Sequence, residues 1–176
     1  MLLAKVDPVH LVCLGLGKPT LNRCSQYQLA LLVLLKEHFQ PSCLAFDPIF
    51  SETDKAVLVE LGIEVARPEA RHISVSKFEP VLYFMPHCSL ELFDDVLSHH
   101  WGPALSTVAI LGNRFSLYQE LYSDDHLSHK APYIAQVFSS QQEISLSLRH
   151  DFEVSFFFFF VVKLFLLWPS LILPVM

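Results

Sequence analysis

Four short apolar runs in the first two thirds of the chain each break abruptly into a polar or glycine-bearing turn. His10-Leu-Val-Cys-Leu-Gly-Leu-Gly17 gives way to Lys18-Pro-Thr20, and Ser42-Cys-Leu-Ala-Phe46 breaks at Asp47-Pro48. Val81-Leu-Tyr-Phe-Met85 breaks at Pro86-His-Cys88, and Thr107-Val-Ala-Ile-Leu111 at Gly112-Asn113. Runs without polar alternation are the pattern of parallel strands buried on both faces by helices. Open sheets of this kind bind ligands at the carboxyl ends of their strands, and the four breaks fall there.

The stretches between the runs read as helices. Strand 9–14 and loop 15–22 lead to a helix from about Arg23 to His38, with Leu29, Leu32, Val33, Leu35 and Phe39 on its core face. Leu31 and Leu34 widen that face, which predicts a helix covered on more than one side. Gln40-Pro41 stops it, and strand 43–46 follows. Ser51 then caps a second helix whose first turn carries Glu52 and Asp54, as the helix dipole favours. Val57, Leu58 and Leu61 are its buried positions, Gly62 ends it, and Ile63-Glu-Val65 is a short third strand. Strand–helix–strand units of this length cross over right-handedly. Residues 67–79 are polar and read as a surface loop or a short edge element. Strand 81–85, helix 90–98 and strand 107–111 complete the pattern. A helical stretch from Leu117 is interrupted by Ser123-Asp-Asp-His-Leu-Ser-His129, and another helix begins in Pro132–Val137. The expectation is one α/β domain over residues 9–153, Rossmann-like, with a mostly parallel sheet flanked by helices.

Val154–Met176 departs from that pattern. Lys163 is its one charged residue, and the stretch is about long enough to cross a bilayer. Pro169 and Pro174 disturb its last turns, and a central lysine costs about 3 kcal/mol on insertion unless it snorkels. The five consecutive phenylalanines 156–160 suit neither an amphipathic helix nor an ordinary strand. Three readings stand: translated sequence never selected for packing, as a polypyrimidine tract read through at an exon end would encode, a tail anchor, or a buried element. The tail also accounts for much of a mean hydropathy of +0.41, high for a chain of 176 residues that otherwise reads as one ordinary domain. Membrane association therefore rests on residues 154–176 alone.

A formal charge of −6, without a Lys/Arg cluster, argues against direct nucleic-acid binding. The four cysteines form no CxxC pair, and Cys13 and Cys43 lie in predicted buried strands, which points to a reducing, intracellular compartment. The apolar part of Met1–Pro8 is too short for a secretory signal.

Five residues stand at the predicted strand ends. Gly15-Leu-Gly17 permits close backbone approach to a ligand, although the third glycine of a dinucleotide fingerprint is absent and a tight strand-to-helix turn explains the pair equally. Asp47 ends the second strand, where related folds hold a ribose with a carboxylate about 20 residues after the glycines. Its other reading is a turn with Pro48, or a cap on the next helix. His87 and Cys88 follow Pro86; a His/Cys pair suits metal, haem or nucleophilic chemistry, but adjacent residues in extended chain point to opposite faces, so a structural turn competes. Asn113 completes a candidate ligand edge of Gly15, Gly17, Asp47, His87 and Asn113, fit for a nucleotide-type ligand. His99-His100 and His126-x-x-His129 read as surface groups, the first pair at a helix end and the second in a solvated loop. No Ser/His/Asp triad, Walker loop, HExxH or zinc-ligand spacing occurs, and no metal site is assigned.

The ordered set Val12-Cys-Leu-Gly-Leu-Gly17, Gln28-Leu-Ala-Leu-Leu32, Phe46-Asp-Pro-Ile-Phe-Ser51, Leu61-Gly-Ile-Glu-Val65, Leu82-Tyr-Phe-Met-Pro-His-Cys88, Ala109-Ile-Leu-Gly-Asn113 and Ala131-Pro-Tyr-Ile-Ala135 resembles the family named for sensitivity to red light reduced, the SRR-like domain proteins of animals. The resemblance spans about residues 10–150. It implies a regulatory rather than a catalytic protein, linked to circadian clock-gene regulation, to haem biosynthesis in animals and to microtubule-related stability in yeast, in the cytoplasm and nucleus. It names no cofactor and leaves the partner proteins unidentified; the haem link alone makes His87 a candidate haem ligand. Animal members continue past Arg149-His-Asp-Phe152 with a polar segment, where this chain has the phenylalanine run, and they carry an N-terminal extension. The chain thus resembles an alternative or partial product, with its domain incomplete at the C-terminal end. Against the regulatory reading stands a Rossmann-like enzyme or sensor using the five edge residues.

Overall fold

The first apolar run forms β1 (His10–Leu14), and each later run forms a strand beside it or one place removed. The computed structural model describes residues 7–67, 78–113, 115–137, 142–145 and 161–164. In chain order the elements are β1, α1 (Arg23–Phe39), β2 (Ser42–Phe46), α2 (Glu52–Glu60), β3 (Glu64–Val65), β4 (Val81–Met85), α3 (Leu90–His99) and β5 (Val108–Gly112). Then come α4 (Phe115–Leu121), α5 (Asp124–Lys130), α6 (Pro132–Val137), β6 (Gln142–Ser145) and β7 (Val161–Leu164). The sheet order is β3-β2-β1-β4-β5-β7-β6. The first five of these strands are parallel, with Leu11 opposite Cys43 and Leu82, and Leu82 opposite Ala109. This is the expected Rossmann-like order.

Alternation along the strands builds two cores. Leu11, Cys13, Ala45, Leu82, Phe84 and Leu111 meet α1 and α2 through Leu29, Leu32, Leu35 and Leu58 on one face. Val12, Leu14, Tyr83, Met85 and Ile110 meet Phe93 and Leu97 of α3, together with Phe115, Leu127 and Ile134, on the other. All residues of β4 and β5 are buried, as continuous apolar runs demand.

The helices α1, α2 and α3 each start at a polar side-chain cap. Asn22 accepts from Cys24 N–H, Ser51 forms a reciprocal capping box with Asp54, and Ser89 accepts from Leu92 N–H.

Three expectations change. Residues 123–129 are not a solvated loop: Ser123 accepts from His126 N–H and starts α5, with Asp124 and Asp125 in its first turn and His129 and Lys130 in its last. Both charge placements suit the helix dipole, and Leu127 anchors the helix in the core. His100 is not a surface group; it is fully buried, with Nε2 2.8 Å from the Tyr83 hydroxyl, which ties the end of α3 to β4. The sheet also carries an antiparallel pair, β7 beside β5 and β6 beside β7, that short polar Gln142–Ser145 did not announce. Val161–Leu164 is the described part of the apolar tail. The remainder of residues 154–176, and residues 68–77 of the expected polar loop, lie outside the described residues. Among the described residues no helix is long and apolar enough to cross a membrane.

Candidate functional site

Between β1 and β4 the strand order reverses: the chain leaves β1 towards β2 and β3, and β4 towards β5. Loops at the carboxyl ends of two such strands diverge and open a crevice, the usual ligand position of the fold. The loop after β1 carries Gly15 and Gly17, and that after β4 carries Pro86, His87 and Cys88.

Gly15 has φ +69° and donates its N–H to Phe46 C=O at 3.2 Å. A Cβ there would lie 2.8 Å from Cys88 Sγ, so both its torsion and its wall exclude a side chain. The Cys88 thiol in turn donates to Leu14 C=O at 3.2 Å. The end of β1 and the loop after β4 are thereby fastened across the switch point.

Gly17, at φ +80°, donates its N–H to Asp47 Oδ2 at 2.8 Å, and Asp47 Oδ1 accepts from Ile49 N–H at 3.0 Å. The Asp47 carbonyl also accepts from Phe50 N–H, closing a turn. Asp47 thus shapes the turn and holds the glycine loop, while capping of α2 falls to Ser51.

On the other side, His87 takes the left-handed conformation at φ +55°, and its backbone N–H approaches Asn113 Oδ1 at 3.4 Å. Asn113 Nδ2 approaches the Tyr118 hydroxyl at 3.4 Å, and that hydroxyl reaches Cys88 C=O at 3.4 Å. The His87 side chain is exposed and Cys88 is buried, so the two face apart. Partial desolvation at the base of the His87 side chain lowers its pKa, which favours the neutral imidazole. Burial, and next the charge of Asp47, push the Cys88 thiol up to about 12. Cys13 is raised well above the ordinary thiol value, first by burial and then by Cys88, Cys43 and Asp47. Burial thus keeps both thiols protonated at neutral pH, which disfavours them as nucleophiles.

The five predicted residues therefore form two pairs, Gly17 with Asp47 and His87 with Asn113, with Gly15 seated between them against Cys88. Asp54 is the residue the sequence reading passed over. Placed there only as an acidic first-turn residue, it is fully buried and accepts four hydrogen bonds: Thr20 N–H at 3.0 Å, Thr20 Oγ1 at 2.6 Å, Ser51 N–H at 2.9 Å and Ser51 Oγ at 2.6 Å. Burial disfavours its charge, but the bonds from Ser51 and Thr20 outweigh that and hold its carboxyl well below the usual carboxylate range. It pins the loop after β1 to the start of α2. The Ser51-x-x-Asp54 spacing is a capping-box signal; Thr20 is not foreseeable from it.

His126 and His129 are exposed on α5. His126 stacks on Tyr122 at 4.9 Å, and His129 Nδ1 lies 2.8 Å from Asp125 C=O. Among the described residues no three His, Cys, Asp or Glu side chains are grouped to hold a metal ion.

The family model of the SRR1 domain matches residues 2–160. The SRR1-like protein of Mus musculus is 34% identical over 140 residues, covering 77% of this chain and 56% of the mouse protein. The Arabidopsis thaliana Protein SENSITIVITY TO RED LIGHT REDUCED 1 is 30% identical over 131 residues, 71% of this chain and 46% of that protein. The SRR1-like protein of Drosophila melanogaster is 29% identical over 125 residues, 68% of this chain and 44% of its own length. The chain spans about half the length of the curated relatives it matches. No solved structure matches it.

Proposed function

Since the chain belongs to the SRR1 domain family, we propose that it is a non-enzymatic regulatory protein, acting through partner proteins in circadian clock-gene regulation and in the regulation of haem biosynthesis, in the cytoplasm and nucleus. The light-response name of the Arabidopsis relative supports the regulatory class. The observation that supports the non-enzymatic part is that the acidic group at the strand ends, Asp47, is engaged by the backbone around it. Both Asp47 oxygens accept backbone N–H groups, one of them the Gly17 N–H that a phosphate would otherwise take. Deleting the chain from cells that express it, then restoring it, tests the proposal: period or amplitude of a clock-gene reporter and cellular haem should both shift and recover. Unchanged rhythm and haem after deletion overturn it.

A second reading is favoured by position. Gly15, Gly17, Asp47, His87 and Asn113 all stand at carboxyl strand ends around the switch point, where a sensor would hold a nucleotide-type ligand. Native against denaturing mass spectrometry of the chain purified from cells separates the two. A small molecule released on denaturation, and lost from folded Asp47→Ala, supports the sensor; folded protein without an adduct supports the adaptor.

A further inference from the structure

The sequence predicts α1 covered on more than one side, and among the described residues the fold covers one. Leu29, Leu32 and Leu35 are buried against the sheet, whereas Tyr27 is 49% and Leu34 61% exposed. Arg23, Ala30 and Glu37 are exposed beside them. These five positions are spaced four, three, four and three residues apart, the spacing of a helix–helix seam. At 3.6 residues per turn they fall within about 80° of one another, on the side away from the core.

Along the helix the seam reads cation, aromatic, small, aliphatic, anion. Rotated end over end it is complementary to itself: Arg23 meets Glu37, Tyr27 meets Leu34, and Ala30 meets Ala30, in one register to within a residue. A parallel pairing would set Arg23 on Arg23 and Glu37 on Glu37. The small side chain at the midpoint permits close approach of two helix axes, about 8 Å. We propose that this outer face of α1 is where two copies of the chain associate, helix against antiparallel helix, about a twofold axis through Ala30. The interface is isologous, so every contact occurs twice. A single pair of helices about 25 Å long lies at or below the low end of specific interfaces, so the association is of the weak, reversible class.

Sedimentation equilibrium of the full chain tests this with Leu34→Glu, Arg23→Glu, Glu37→Arg and the double reversal. Leu34→Glu, introducing two charges into the seam, should raise the dissociation constant at least about 100-fold. Each single reversal should raise it about tenfold, and the double reversal should return it to within about threefold of wild type. Both reversals improve the charge pattern of the helix itself, so weakened association would not reflect a weaker helix. Circular dichroism melting checks that all variants stay folded. Independently, Ala30→Cys should form a disulfide-linked dimer under mild oxidation that wild type does not. A wild-type chain that stays monomeric to a few hundred micromolar, association indifferent to Leu34→Glu, a double reversal as weak as the singles, or no Ala30→Cys cross-link would each overturn the proposal; the first would leave the face to a different protein.

Discussion

Asp54→Asn probes the joint between the loop after β1 and the start of α2. Each Asp54 oxygen accepts two hydrogen bonds, Oδ1 from the Thr20 N–H and hydroxyl and Oδ2 from the Ser51 N–H and hydroxyl. Whichever way the amide turns, its –NH₂ confronts two donors. The hydroxyl can rotate away, but the backbone N–H is left buried without its acceptor. Losing bonds to a charged acceptor and stranding a donor costs about 3 kcal/mol. For a domain of this size that lowers the midpoint of thermal unfolding by about 10 °C. The pH dependence identifies the cause. The folded pKa of Asp54 lies below its unfolded value, so its contribution is full above about pH 4 and is lost as pH falls towards the folded pKa. Urea unfolding followed by circular dichroism should therefore show the gap between wild type and Asp54→Asn at its widest at pH 7, narrowing below pH 4. A gap below 1 kcal/mol, or one that stays constant from pH 7 to pH 2.5, would refute the argument.

Asp94 should behave in the opposite sense. It accepts from the N–H groups of Tyr133 and Ile134 at 2.9 Å each, capping α6 from α3, yet burial raises its pKa. Its charge is thus disfavoured in the fold, with the linked stability greatest below the unfolded pKa and declining as pH rises through the folded one. Asp94→Asn keeps an acceptor and should be no less stable than wild type at pH 7, whereas Asp94→Ala strands two donors and should lose about 2 kcal/mol in urea unfolding. Gly15→Ala meets both a φ of +69° and Cys88 Sγ, and should cost at least about 2 kcal/mol; pairing it with Cys88→Ala should recover only the steric part. In the native chain at pH 7.5 iodoacetamide should label Cys24 alone, and slowly because desolvation raises that thiol too, since Cys13, Cys43 and Cys88 are buried out of its reach; two or more adducts by mass spectrometry would contradict this.

The strands were legible because burial on both faces writes itself as unbroken apolar runs, and β4 and β5 are buried at every position. The helix after Ser51 was legible from its cap, whereas the Ser89 cap on α3 emerged only with the fold. What escaped depends on contacts distant along the chain. His100 looked like a helix-end cation, but Tyr83 supplies the partner that takes it inside. Ser123 looked like part of a breaker, but its side chain caps α5. The antiparallel β7 lies in the stretch whose phenylalanine run obscured any period.

The same division governs the candidate site. Sequence position brought the five edge residues to one end of the sheet, but only the fold reveals that Asp47 holds the Gly17 N–H and that the His87 backbone N–H approaches Asn113. Opening the glycine loop to an anion requires Asp47 to release the Gly17 N–H, and the freed carboxylate would then face that anion at close range. A phosphate ligand would therefore need a cation between the two, or a displacement of the turn at Asp47–Phe50. A neutral or cationic ligand needs neither. Any molecule recovered from the native chain is accordingly expected to be uncharged or positive where it meets Asp47, and an anion bound there would come with a countercharge or a moved loop.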